Sequence, residues 1–406
     1  MRILHVNVRL NEGGAARVAL DLHRRLLARS IESKIFYGYG PGGKKSPHED
    51  LVPHAHQAGH RVQVVSNYFA HKAIGVDPFK PSGRRASALK LAINEADIVH
   101  LHVIHSHSLP YAWLIGQLRS GRKKVVWTLH DSWVLTGRCA ITDTCERWRG
   151  GCGHCPQMGN YPSALLDMSA SEHWRKRRQI DSLGSDLVFV GCSRWIAQRA
   201  EIAFPRHTVH LINNGLDAQM EECLMVPTTH GNERTTVMKR LLIVGADLSD
   251  PKKQDIELLR RVIALDGYSV QTVGRNSPFS GANVVNHGPV TSRVRLTEIY
   301  READATLFTS KVDIFSLVIV ESLTAGTPVM ALNSPGSREV LGLVGATPFG
   351  SEDEMLIAIQ RGSFFRNYKQ RTREELHREA LKVYSGEKVT RQYIDLYESL
   401  MNHVCL

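Results

Sequence analysis

Apolar runs of strand length alternate with helix-spaced stretches along almost the whole chain, a pattern with few structural solutions. In the first half the runs are RILHVNV (from Arg2), SKIFYGY (from Ser33), DIVHLHV (from Asp97), KVVWTLH (from Lys124), DLVFVGCS (from Asp186) and HTVHLINN (from His207). In the second half they are RLLIVGAD (from Arg240), YSVQTVG (from Tyr268), ANVVNHG (from Ala282), ATLFTS (from Ala305) and TPVMALN (from Thr327). Strands that alternate with helices pair in parallel, in sheets covered on both faces. The pattern runs, breaks and restarts. The break is CLMVPTTHGNERTTVMKR, Cys223–Arg240, polar and without periodicity. This predicts two doubly wound α/β domains, residues 1–222 and 223–385, with a cleft between them. A C-terminal helix in 386–406 is expected to pack back on the first domain. A chain of 406 residues is too long for one ordinary core, which agrees.

Charge is uneven along the chain. Residues 1–222 hold 29 Lys/Arg and 19 Asp/Glu, a surplus of ten. The remainder of the 51 and 40 leaves 22 against 21 for residues 223–406, a surplus of one. A basic first half suggests an anionic partner: a phosphate-bearing substrate, an anionic membrane surface or nucleic acid. Nucleic acid is disfavoured, because no helical stretch interleaves Arg/Lys with aromatics and no RNA or DNA motif is present. No apolar run reaches the ~20 residues of a membrane span, and MRILHVNVRL lacks a signal pattern. Both predict a cytoplasmic protein.

In doubly wound sheets ligands bind beyond the carboxyl ends of the strands, so the loops after the strands carry the candidates. After the first strand, Gly13 and Gly14 open a helix in which Val18, Leu22 and Leu26 mark one face. Glycine there lets a phosphate or sugar approach the backbone, or simply serves a strand-to-helix turn. The dinucleotide G-x-G-x-x-G spacing is absent. His130 follows KVVWTL and either hydrogen-bonds a substrate hydroxyl, transfers a proton or buttresses its loop. Lys252 and Lys253 in GADLSDPKKQD are placed to neutralise a diphosphate or are solvated. Asp313 follows ATLFTS, as a ligand-facing acid or a helix N-cap. Glu321 lies in the apolar LVIVESL helix that Gly326 and Pro328 stop; a carboxylate buried there needs a partner.

NEGGAARVALDL, INNGLD (Ile212–Asp217) and DIFSLVIVESLTAGTPV together resemble the family 4 retaining glycosyltransferases, over essentially the full chain. The E-x7-E-like segment and its Gly-x-Pro-Val are the specific part. The resemblance implies a GT-B fold, two Rossmann-like domains facing across a cleft, the first for the acceptor and the second for the nucleotide sugar. Within the family it points to enzymes of colanic acid-like exopolysaccharide synthesis. These move a hexose, galactose or fucose, from a UDP- or GDP-sugar to an undecaprenyl diphosphate-linked oligosaccharide at the inner face of the cytoplasmic membrane.

By the same resemblance Glu321 binds the nucleotide ribose. Asp313 stands where the family has Glu, one methylene longer, and contacts the donor sugar. Lys253 falls near the diphosphate lysine. The basic residue usually upstream is missing, with Ala246 and Asp247 there, and Arg275 could supply its charge. Ser316, in place of a common glycine, and Leu317 belong to the donor site. His130 matches a histidine facing the donor sugar, and Gly14 a loop glycine near the donor phosphate. The implied mechanism is a metal-independent front-face displacement, with His130, Asp313 and Lys253 at the reacting centre. The alternatives are a GT-B sugar-nucleotide epimerase and a non-catalytic scaffold of a polysaccharide assembly complex.

One motif stands apart. CAITDTCERWRGGCGHCP places Cys139, Cys145, Cys152 and Cys155 at C-x5-C-x6-C-x2-C, while Cys192, Cys223 and Cys405 are scattered. Clustered thiols in a reducing compartment more often mean metal than disulfides. The expectation is a structural zinc or a packed thiol cluster. A catalytic zinc is disfavoured, because four cysteines leave no open position.

Overall fold

The computed structural model describes residues 1–225, 238–364, 366–368 and 371–402. Most of the predicted break, and Cys405, lie outside the described residues. Two compact units are formed: Met1–Asn213 together with the chain from Thr390 onward, and Asn214–Val389. The division therefore falls after Asn213 rather than after 222.

The first unit holds strands β1 (Arg2–Asn7), β2 (Glu32–Tyr37), β3 (Ala55–Gln57), β4 (Ile98–Leu101), β5 (Lys124–Leu129), β6 (Leu187–Gly191) and β7 (Thr208–Leu211). Its helices are α1 (Gly14–Leu27), α2 (Arg61–Ile74), α3 (Gly83–Glu95), α4 (Tyr111–Ser120), α5 (Ser169–Asp181) and α6 (Arg194–Ala203). The second unit holds α7 (Ala218–Met225), β8 (Lys239–Asp247), α8 (Ile256–Ile263), β9 (Tyr268–Arg275), β10 (Val284–Asn286), α9 (Arg293–Glu302) and β11 (Ala305–Phe308). It continues through α10 (Leu317–Thr324), β12 (Val329–Ala331), α11 (Pro335–Leu343), α12 (Glu352–Gln360) and α13 (Arg373–Tyr384). The last helix, α14 (Gly386–Asn402), begins in the second unit and ends in the first.

Every ladder is parallel, in the orders β3-β2-β1-β4-β5-β6-β7 and β10-β9-β8-β11-β12. Strands β4, β5 and β6 are buried along nearly their whole length, as parallel strands covered on both faces must be. The edge strand β3 escaped sequence reading: three residues, Ala-His-Gln, carry no detectable period, and only pairing with Ile35–Tyr37 defines them. Strand order reverses between β1 and β4 in the first unit and between β8 and β11 in the second. These switch points are where an open α/β sheet offers a crevice. In α1 the buried face includes Ala16, Ala19, Leu20, Leu22, His23 and Leu26, so Leu22 and Leu26 are buried as expected while Val18 is only half-buried.

Candidate active-site residues in the two units

At the switch point of the second unit, two loops are stitched together. Asp250 turns the loop after β8: its Oδ1 accepts the Lys252 N–H at 2.9 Å, and its carbonyl accepts those of Lys253 at 3.0 Å and Gln254 at 2.9 Å. Asp255 then caps α8 through the Leu258 N–H, and its own N–H donates to Thr309 Oγ1 just past β11 at 2.9 Å. Lys253, carried on this turn, donates from Nζ to Asp313 Oδ1 at 2.5 Å, and both side chains remain partly exposed. Asp313 is not the N-cap of α10. Ser316 is, its Oγ accepting the Ile319 N–H, with Leu317 the first helical residue. Gly336 allows this packing: its N–H donates to the Asp313 carbonyl at 2.8 Å, and a Cβ there would sit 2.4 Å from that oxygen. Lys253, Asp313, Ser316 and Leu317 are thus gathered at one end of one helix, where a diphosphate would meet a cation and helix N–H groups. Arg275, the last residue of β9, is exposed and donates from Nε to the Ala246 carbonyl at 3.2 Å.

Glu321, one turn into α10, is 4% exposed. Its Oε2 accepts from Tyr300 Oη at 2.9 Å and its Oε1 lies 3.8 Å from Arg293, which also pairs with Asp217 at 3.1 Å. The carboxylate therefore has partners of the kind that burial demands, Tyr300 and Arg293 of α9 among them. Sequence reading anticipated a partner but could not name Arg293 or Tyr300, which lie 28 and 21 residues away by number.

In the first unit Gly13 precedes α1 at φ 96°, a left-handed value that favours glycine, and no side chain caps the first turn. Gly14, the predicted contact, is the first residue of that helix. His130 immediately follows β5 and is half-buried. Its Nε2 lies 3.1 Å from His102 Nδ1, and His102 Nε2 lies 3.1 Å from His5 Nδ1. His100 is bonded to Thr128 Oγ1 at 2.7 Å and to Tyr397 Oη of α14 at 2.6 Å. A line of histidines thus runs from β1 and β4 to the carboxyl ends of β4 and β5, where His102 and His130 follow the last strand residues. Burial pushes the His130 imidazole down to about 4, although nearby Asp131 pulls the other way. At neutral pH His130 is uncharged, suited to hydrogen-bonding a hydroxyl and poorly suited to donating a proton. Sequence reading missed this line. Its signal was the pair His100 and His102, which a period of two places on one face of one strand.

Beyond His130, Asp131 accepts from the Trp133 N–H at 2.8 Å and pairs with His105 at 2.8 Å. The cysteine loop follows. Cys139, Cys145, Cys152 and Cys155 are all reduced, half-buried, and line one cavity with Arg138 and Trp148.

The comparisons with known proteins agree with this geometry. Residues 12–220 match the family described as Glycosyltransferase Family 4, and residues 280–344 that described as Glycosyl transferases group 1. The chain is 33% identical over 411 residues to the "Putative colanic acid biosynthesis glycosyl transferase WcaC" of Escherichia coli (strain K12). The match covers 98% of this chain and all of WcaC. Among solved structures, Anabaena Alr3699/HepE in complex with UDP superposes with a TM-score of 0.59 at 14% identity, over 98% of this chain and 100% of that one. The lipopolysaccharide outer core galactosyltransferase WaaB gives a TM-score of 0.56 at 12% identity, over 99% and 98%. Sucrose-phosphate synthase from Thermosynechococcus elongatus gives 0.60 at 15%, over 99% and 100%. At these identities the structural likeness speaks for the fold alone. The two sheets, the family 4 match and the full-length relative make this chain a member of glycosyltransferase family 4 with a GT-B fold, homologous to WcaC.

Proposed function

We propose that this glycosyltransferase moves a hexose from a nucleoside diphosphate sugar to a lipid-linked oligosaccharide, with retention at the anomeric carbon, in exopolysaccharide synthesis. The observation that carries the reading is the Lys253–Asp313 pair at the start of α10. Without donor, Asp313 neutralises Lys253. A donor diphosphate would take over the ammonium and the helix N–H groups, freeing Asp313 to accept hydrogen bonds from the sugar hydroxyls. Glu321, held by Arg293 and Tyr300, would accept from the ribose hydroxyls. Arg275 would add charge at the phosphates. In the first unit, neutral His130 and the Gly14 turn would offer hydrogen bonds to sugar and acceptor hydroxyls. The acceptor hydroxyl attacks C1 as the bond from C1 to the β-phosphate oxygen breaks. The electron pair stays on that oxygen, which takes the acceptor proton. In this reading the fixed cations stabilise the developing phosphate charge, so the step requires no metal.

The lipid-linked acceptor and an anionic membrane surface are supported by the face of α2. Val62, Val65 and Phe69 form an exposed stripe at helical spacing, with Tyr68 and Ile74 beside it. Leu165 and Leu166 extend it, their N–H groups donating to the carbonyls of Lys72 and Ala73 in the last turn of α2. Arg61, Lys72 and Lys80 flank the patch and are exposed. Exposed apolar side chains rimmed by cations suit an anionic interface. No helix among the described residues is long and apolar enough to cross a membrane.

The test is a thermal-shift screen of UDP- and GDP-hexoses, followed by turnover on a diphosphate-linked acceptor and NMR of the product anomer. Nucleoside diphosphate release without acceptor, with the sugar altered at C2, would turn the reading to an epimerase. An inverted anomer would end the retaining assignment.

A further inference from the structure

We propose that Cys139, Cys145, Cys152 and Cys155 bind one structural zinc ion, and that this ion shapes the loop following His130 and Asp131. Three observations converge on it besides the spacing of the residues.

The first is the shape of the loop. The four sulfurs line a single cavity. The chain enters Cys152–Cys155 through four consecutive left-handed residues, Gly151 at φ 103°, Cys152 at 62°, Gly153 at 90° and His154 at 46°. Left-handed backbone at two non-glycine residues is costly, and persists where the surroundings hold it. Here it turns both sulfurs of the C-x2-C pair toward the cavity.

The second is the set of donors aimed at sulfur. The Gly137 N–H donates to Cys152 Sγ at 3.3 Å, and Arg138 Nη1 approaches Cys155 Sγ at 3.8 Å. Donors directed at sulfur stabilise thiolate, the form that ligates metal.

The third is charge. Arg138 is 4% exposed and Lys176 is 1% exposed. Arg138 otherwise donates to the carbonyls of Gln157, Met158, Asn160 and Pro162, and Lys176 to those of Trp133 and Thr136. Neither is hydrogen-bonded to a carboxylate among the described residues. The carboxylates that act on them, Glu172 and Asp131 on Lys176 and Asp167 on Arg138, do so without a hydrogen bond, so buried cations here still favour added negative charge. A zinc ion with four thiolates carries a net charge of about −2 and would add to that attraction. On binding, the four thiol protons leave to solvent.

Cys139 and Cys155 are already hydrogen-bonded through their side chains, but among the described residues no three of the four sulfurs lie within 4.8 Å of one another. On a tetrahedral ion with Zn–S bonds of about 2.3 Å they would be about 3.8 Å apart, so the loop would draw inward. The ion would have no open coordination position and no part in the chemistry. It would instead set the turn at Trp133–Leu135, which Lys176 clamps and which follows directly from Asp131.

The protein is purified without added metal or chelator and analysed by plasma mass spectrometry, with an organomercurial titration followed by a zinc chromophore. About one zinc per chain, released as four thiols are titrated, is expected. Cys145→Ser should reduce zinc to below about a tenth of that value, and Cys145→His, which returns a nitrogen ligand, should restore it; a packing role predicts no such rescue. If Cys145→Ser does not fold, the wild-type ratio decides. Wild-type protein with no zinc and four reactive thiols, with two disulfides, or with iron in place of zinc would overturn the assignment, as would full zinc retention in Cys145→Ser.

Discussion

Lowering the pH from 7.5 to 5.5 should remove much of the first unit's stability. His5, His23, His100 and His102 are at most 2% exposed. Burial drives each imidazole down, His23 to about 4 and the other three well below the usual histidine value. In the unfolded chain each titrates near 6.5. The unfolded state therefore takes up protons between about pH 6.5 and 4 that the native state refuses, and stability falls as pH falls through that window. Each histidine kept neutral to pH 5.5 costs about 1.4 kcal/mol over the two-unit change, and the four together about 5 kcal/mol. A whole domain is stable by only about 5–15 kcal/mol. All six tryptophans lie between Trp113 and Trp195, so their fluorescence reports this unit. Urea unfolding followed by tryptophan emission at pH 7.5, 6.5 and 5.5 measures the loss. A change below about 1.5 kcal/mol would mean that the rings are protonated inside the fold, and would refute the argument.

Lys253→Ala should lower kcat/KM about 100-fold or more, the loss typical of a fixed charge acting on a developing anion. Asp313→Ala should lower kcat about as much, while UDP binding by calorimetry stays equal or tightens, because the diphosphate no longer competes with a carboxylate for Lys253. Glu321→Ala removes an acceptor from Tyr300 and Arg293 and should cost about 2–3 kcal/mol, read as faster hydrogen exchange across α9 and α10 together with weaker donor binding. Val65→Glu with Phe69→Glu should weaken partition onto anionic vesicles about tenfold in a flotation assay, with little change on vesicles of neutral lipid.

The parts of the site legible in the sequence were those that follow from position along one element. Lys253, Asp313 and His130 could be named as candidates because each lies just past a recognisable strand, and α/β sheets present ligands there. The cysteines were found because their spacing is local. Contacts between distant segments left no such mark. The N-cap of α10 proved to be Ser316, which left Asp313 available to Lys253. Arg138 and Lys176 look like ordinary surface cations in sequence, yet both are buried against the cysteine loop.

Element type and order could be read from the chain itself, because the periods of two and 3.6 residues are local properties of the backbone and repeat within each segment. The meeting of His100 with Tyr397 across 297 residues, of His5 with His102 across 97 and of Lys253 with Asp313 across 60 was decided only by the tertiary structure. Strand order and helix packing set those encounters, and no local period encodes which strand lies beside which. The polar partners of a buried group therefore become visible only once the sheet is assembled.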